Sequence, residues 1–134
     1  MRDMRHDRLG KALVREERLR ATAGLREPVG LTSWRGHSGR RYVVGIHPAS
    51  ESEIDDAAGS VLIAVRRSSA GDAEVVEVAA PGSFSRRERL GWLSAVRARG
   101  ATEIHVHRLA ENESERRAVA ADLRAPAQAV PVSA

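Results

Sequence analysis

The stretch SVLIAVRRSSAGDAEVVEVAAPGSFSRRERLGWLSAVRARG, residues 60–100, decides how this chain folds. Residues 60–67 are a nearly continuous apolar run, the pattern of a central strand covered on both faces. SSAGDA is a cluster of turn formers. Residues 74–80, EVVEVAA, read as the next strand, antiparallel to the first. A loop of small residues follows, from Ala79 to Ser83. Ser85 and Glu88 then stand at the S-x-x-E spacing of a capping box, so a helix opens there. It runs to about Arg99, with Leu90, Leu93 and Val96 inward, and Gly100 ends it. Trp92 broadens that apolar stripe as a core or interface residue.

Downstream, ATEIHVHRLA is a strand, and Asn112 caps a last helix over about 113–124, which Pro126 stops. Residues 126–134 read as a loose tail. Upstream, residues 31–35 and 40–47 form a hairpin around the turn cluster GHSG, and Pro48 closes its second strand. ASESEIDDAAG is an acidic connection with one helical turn, since Ser50 and Glu53 have capping-box spacing. Residues 4–22 have helical composition. Leu9, Leu13 and Ala21 lie loosely on one face, Gly10 weakens the start, and Pro28 and Gly30 end the segment. The expected order is α-β-β-β-β-α-β-α, an α+β fold with a small mixed or antiparallel sheet. Residues 1–30 are a basic N-terminal helical extension, 31–125 a single domain, and 126–134 the tail.

The 134 residues suffice for one domain with one modest core. Aromatics make up only 3% of the chain, so that core is Val, Leu, Ile and Ala. There is no Cys, which excludes disulfides and thiolate metal sites and fits a reducing compartment. The N-terminal MRDMRHDRLGKALVREERLR is charged throughout, with no apolar run for a signal peptide or membrane span, so the expectation is a cytoplasmic protein without a membrane partner. Of the 22 basic residues, 21 are Arg. Such usage with abundant Ala also follows from a GC-rich genome. The distribution is more informative: residues 1–41 carry 11 basic and 5 acidic residues, net +6, and residues 42–134 carry 11 basic and 13 acidic, net −2. A basic arm can bind nucleic acid by counterion release; the alternative is a solvated helix and tail.

From Gly59 to Val132 the chain resembles the GIY-YIG nuclease domain in its element order and a few spacings. Gly59, Ser60 and Val61 lie where the first triplet would be, and Glu77, Val78 and Ala79 where the second would be. Phe84 takes the place of the apolar residue that opens the basic helix. Arg87, three residues on, matches the family's arginine, and Ala120 stands where the family has its metal-binding glutamate. The resemblance implies a phosphodiester-handling fold. In that chemistry a carboxylate holds one divalent metal, tyrosines place the attacking water, and an arginine stabilises the developing charge. Val61 and Glu77 replace the tyrosines, and an alanine cannot ligate Mg²⁺. Arg87 alone remains, with Arg86 and Arg89 keeping the site basic. The turn between the two triplet strands is also longer than the family's usual one. The implied reading is an active-site shell that keeps phosphate affinity without turnover, with no cofactor, no metal and no catalytic residue. An active metal-dependent nuclease with relocated ligands, Glu77 among them, is the alternative on this line.

His105 and His107 alternate on one strand and share a face. With His47 as a third ligand they could hold Zn²⁺; otherwise they are surface or sheet-face histidines, with Ile104 and Val106 as core. SWRGHSGRRY gathers Trp34, Arg35, His37, Arg40, Arg41 and Tyr42. Arginines beside aromatic rings on a ribbon can hold single strands, or Trp34 and Tyr42 cover the edge of the core. Ser83, Ser85 and His37 form no Ser-His-Asp pattern. No Walker-type glycine loop is present. The leading expectation is therefore weak, sequence-independent binding of DNA or RNA through Arg86, Arg87, Arg89, Arg35, Arg40 and Arg41. The rival is a protein-interaction module or homodimer that docks through residues 4–22.

Overall fold

Val61, Leu62, Ile63, Ala64 and Val65 are all buried, so the strand they form must be covered on both faces, and the molecule is built around it. The structure is a computed structural model that describes residues 14–17, 30–51, 54 and 59–124. Its strands are β1 (Arg15–Glu17), β2 (Leu31–Arg35), β3 (Arg41–Pro48), β4 (Val61–Arg67), β5 (Ala73–Ala79) and β6 (Glu103–His107). The helices are α1 (Arg86–Ala98), between β5 and β6, and α2 (Glu113–Leu123), after β6. Glu51 and Ile54 are helical in the acidic connection, as that segment's one expected turn requires; Glu53 lies outside the described residues.

The strands form one antiparallel sheet in the order β1-β2-β3-β6-β4-β5. Side-chain alternation along β4 divides the core. Val61, Ile63 and Val65 pack with Trp34, Val44 and Val78 under Val119, Ala120 and Leu123 of α2. Leu62 and Ala64 pack with Ile104 and Val106 under Leu93 and Val96 of α1. Among the described elements α2 covers one face and α1 the other, with Ile54 of the acidic connection packed in the α1-side cluster, a mixed α+β architecture. The sheet also curls. β1 and β5, at opposite ends of the strand order, touch one another, and Val14, Ala73 and Val75 pack onto the α2-side cluster together. On β5 the register slips beside Ala64, which opposes Glu77, while Val65 opposes Val75. This bulge turns Val76 into the α1-side cluster.

The expected N-terminal helix is corrected where residues are described. Arg15–Glu17 is a strand, paired antiparallel with β2 in the register Glu16 opposite Trp34. Its composition is helical, but the hydroxyls of Ser33 (2.6 Å) and Thr32 (3.3 Å) donate to the Glu17 carbonyl and draw the segment onto the sheet edge. Tertiary hydrogen bonds here override propensity. The rest of 4–22, with Leu9 and Leu13, and the tail 126–134 lie outside the described residues. The order from β2 onward matches the sequence reading.

Local chemistry accounts for the ends. Ser85 Oγ accepts from the Glu88 amide (3.1 Å), and the Glu88 carboxylate accepts from the Ser85 amide (2.7 Å), completing the α1 capping box. Asn112 Oδ1 accepts from the Glu115 amide at the start of α2 (2.8 Å). The β2–β3 turn is tied to the end of α2 through Asp122. Its carboxylate accepts from the Ser38 amide (2.8 Å), the Ser38 hydroxyl (2.7 Å) and the Tyr42 hydroxyl (2.8 Å). Gly36 is the residue that lets these parts meet, since a Cβ there would lie 2.9 Å from the Asp122 carbonyl oxygen. Among the described residues no helix is long and apolar enough to cross a membrane.

Candidate nucleic-acid interface

The hairpin arginines cluster around one carboxylate. Glu17 receives Arg35 through Nε (2.7 Å) and Nη2 (3.0 Å), Arg41 through Nε (3.1 Å) and Arg15 through Nε (3.3 Å). The Arg35 hydrogen bonds hold the Glu17 carboxyl below the usual carboxylate range. Arg35 also donates to the Gly39 carbonyl (2.6 Å). The exposed Arg40 makes no ion pair with another described residue; its guanidinium stands 6.0 Å from the Tyr42 ring centre. Three guanidinium groups thus surround a single carboxylate, leaving a surplus of positive charge. Arg15, Arg35, His37, Ser38 and Gly39 frame a hollow of about 350 Å³ beside it.

The aromatic side chains of this ribbon do not join the arginines. Trp34 and Tyr42 are 1% and 7% exposed and belong to the core, so the ribbon presents no ring for a single strand. Burial, with the Asp122 hydrogen bond second, pushes the Tyr42 hydroxyl up to about 12.

The second arginine group behaves differently. Arg86 and Arg87 are exposed at the start of α1. Arg89 is half-buried and turned back onto the preceding loop, where Nη1 donates to the Phe84 carbonyl (2.9 Å). The three do not converge. The capping box has also taken the Glu88 amide, one of the α1 N–H groups an anion would use.

Both groups nevertheless lie at one end of the sheet. β3 begins at the hairpin turn. His107, at the end of β6, donates from Nδ1 to the Val43 carbonyl (2.8 Å) and opposes Val61. Leu62 in turn opposes Ala79, the last residue of β5 and the start of the loop to α1. Arg124 spans this end. Its carbonyl receives His37 from the hairpin turn, and its guanidinium reaches the Val78 carbonyl of β5 (3.5 Å).

Between α2 and the β5 edge lies a cleft of about 430 Å³. Of the positions singled out by the sequence resemblance, Glu77, Val78, Ala79, Phe84 and Ala120 line it; Gly59, Ser60, Val61 and Arg87 do not. Ala120 offers no ligand atom, and the Glu77 carboxylate is held by the Arg99 guanidinium. Arg117 and Arg124, seven residues apart and so on one side of α2, rim the same cleft with Trp92. Sequence reading passed over these two arginines. Their spacing was the available signal, and the chain's low aromatic content was the signal for Phe84 and Trp92.

The histidines belong to the interior. His105 and His107 are 0% and 5% exposed, so they are sheet-face residues covered by protein rather than surface groups. His47 opposes Ile104 and so shares the α1-side face; the three imidazoles do not converge. Trp34 Nε1 donates to His105 Nδ1 (2.9 Å). That bond requires Nδ1 to be unprotonated, so the proton is on Nε2, which donates to Glu103 Oε1 (2.8 Å). Arg67 grips Glu103 (3.1 and 2.9 Å) and also Glu16 across the curl (3.0 and 3.1 Å). Burial, outweighing the Glu103 hydrogen bond, pushes the His105 imidazole below its usual value. Burial pushes the Glu103 carboxyl up, but the Arg67 and His105 hydrogen bonds prevail and hold it below the usual range. The result is a neutral ring between an indole donor and a carboxylate. Among the described residues no group of three or more His, Asp or Glu could hold a metal ion. Comparison with family models, with curated proteins and with solved structures gave no match to this chain.

Proposed function

We propose that this protein binds nucleic acid through the phosphate backbone, without regard to sequence and without cleaving it. One observation carries the reading: Arg15, Arg35 and Arg41 meet around the Glu17 carboxylate, with the exposed Arg40 in the adjoining turn, at the end of the sheet where Arg124 reaches across to β5. A planar, multiply hydrogen-bonding cation suits phosphate, and a surplus of such groups supplies sequence-independent affinity. A degenerate GIY-YIG-like domain over residues 59–132 belongs to the same proposal. Its support is the hairpin, helix, strand and helix that follow Gly59 and the shared cleft of Glu77, Phe84 and Ala120. The lack of turnover rests on Ala120 and on the engagement of Glu77 by Arg99.

The test is fluorescence anisotropy with labelled DNA and RNA over a salt series, followed by Mg²⁺ or Mn²⁺ and a gel. Binding should weaken steeply with salt, and the strand should stay intact. Arg40→Ala and Arg41→Ala should each lower the salt slope by about one. Absence of binding at low salt, or a slope unchanged in both variants, refutes the arginine surface. Cleavage refutes the silent site.

A further inference from the structure

We propose that the cleft between the β5 edge and α2 receives an unstacked nucleobase of a single strand; this rests on the reading above and names the ligand group taken at that end of the fold. Of the chain's four Phe, Trp and Tyr residues, Trp34 and Tyr42 are in the core. The other two, Phe84 and Trp92, are half-buried and line this one cleft. The rest of the apolar lining is small, Val78, Ala79, Ala80 and Ala120, so the described residues leave room beside the rings. Its volume of about 430 Å³ falls within the ordinary range of small-molecule sites. Arg117 and Arg124 stand at its rim, where the phosphates flanking an inserted base would lie.

A second observation points to the same ligand. Among the described residues, the buried side-chain polar atoms without a hydrogen-bond partner are Arg89 Nε, Trp92 Nε1 and Arg116 Nε. All three are donors; Trp92 belongs to the cleft lining, while Arg89 and Arg116 lie outside it, against the loop before α1. Arg89 donates to the Phe84 carbonyl from another nitrogen. Trp92 lines the cleft. A Cβ on Gly82 would lie 3.8 Å from Arg116 Nη2. Buried donors are normally satisfied, so the unpartnered indole N–H of Trp92 at the cleft wall suits a ligand that brings acceptors. A nucleobase does so, with ring nitrogens and carbonyl oxygens on its edges and a flat face for the aromatic rings. An extended peptide fits less well. The β5 edge carbonyls of Val76 and Val78, which an added strand would use, already accept from Arg99 (3.1 Å) and Arg124 (3.5 Å).

The experiment compares a single-stranded oligonucleotide of about twelve nucleotides with an abasic strand of equal length, using the full chain and, alongside it, Phe84→Leu, Trp92→Phe and Arg40→Ala. The wild type should prefer the base-bearing strand by about 5- to 150-fold, the range of one aromatic–base stack. Phe84→Leu should remove most of that preference while leaving the abasic affinity unchanged. Trp92→Phe, which keeps a ring but lacks the indole N–H, should reduce it less. Arg40→Ala should weaken both strands equally. In NMR, the Trp92 indole N–H should move on addition of the base-bearing strand, while that of Trp34, fixed on His105, stays put. Equal binding of the two strands, or a preference that survives Phe84→Leu, overturns the base cleft and leaves the arginine surface standing. Binding of neither strand overturns both.

Discussion

Trp34→Phe tests the deepest polar contact of the fold. The substitution keeps an aromatic ring in the core and removes the indole N–H that donates to His105 Nδ1 at 2.9 Å. A buried acceptor left without its donor costs about 1–3 kcal/mol. Complete loss of a large buried aromatic side chain costs about 3–5 kcal/mol, so the smaller ring adds about 1–2 kcal/mol. Near pH 8, Trp34→Phe should thus destabilise the protein by about 2–5 kcal/mol. With a urea slope of about 1–3 kcal/mol/M, that is a shift of the midpoint of about 1 M or more, read by circular dichroism. The informative part is the pH dependence. His105 has a lowered imidazole pKa in the folded state. The unfolded chain therefore binds the proton first as the pH falls, and the stability tied to the neutral ring is full above the ordinary value of 6.5 and fades below it. Protonation in the wild type must occur on Nδ1, which turns the acceptor into a donor facing the Trp34 donor. Phenylalanine removes that conflict. The folded pKa of His105 should rise in the variant, and each unit of rise narrows the gap from wild type at acid pH by up to about 1.4 kcal/mol. Glu103, Glu16 and Arg67 are the charges around the ring, and all are retained. A stability difference below about 0.5 kcal/mol, or one constant between about pH 8 and pH 5, would refute this account of the tautomer.

Three further outcomes can be measured independently. Gly36→Ala places a methyl group 2.9 Å from the Asp122 carbonyl and should cost about 1–3 kcal/mol through overpacking, with the thermal midpoint as readout. Tyr42 is the chain's one tyrosine, so absorbance near 295 nm should titrate with a midpoint of about 12; in Asp122→Asn, where the facing negative charge is gone, the midpoint should fall toward the ordinary phenol value. Arg99→Ala removes the cover from the Val76 carbonyl and a surface ion pair worth at most about 1 kcal/mol. Stability should hardly change while light scattering shows faster association at the bared edge.

The parts legible in the sequence were those whose signal is local. The apolar run of β4 and the S-x-x-E spacing at Ser85 and Glu88 mark their elements within a few residues, and both stand as read. β1 carries no such signal. Arg15, Glu16 and Glu17 alternate nothing, and their strand conformation depends on Thr32 and Ser33. Burial of His105 and His107 depends on Trp34, 71 residues away, and on the Val43 carbonyl, 64 residues away; no window on the sequence spans that. The arginines illustrate the same limit at the candidate interface. A sequence gives each a full positive charge, yet Glu17 engages Arg35 and Arg41, and Arg89 is turned inward.

The position of β6 has a consequence for how the chain assembles. It sits between β3 and β4 although it is the last of the described strands in sequence. Residues 31–48 and 61–79 can each close into a hairpin from local sequence, but the two half-sheets share no edge until residues 103–107 slide between them. Until that insertion, the inner edges of β3 and β4 remain open, with Val61–Val65 uncovered. Folding should therefore wait on one late, non-local event, and a chain halted on the ribosome before residue 103 should be the species that chaperones hold.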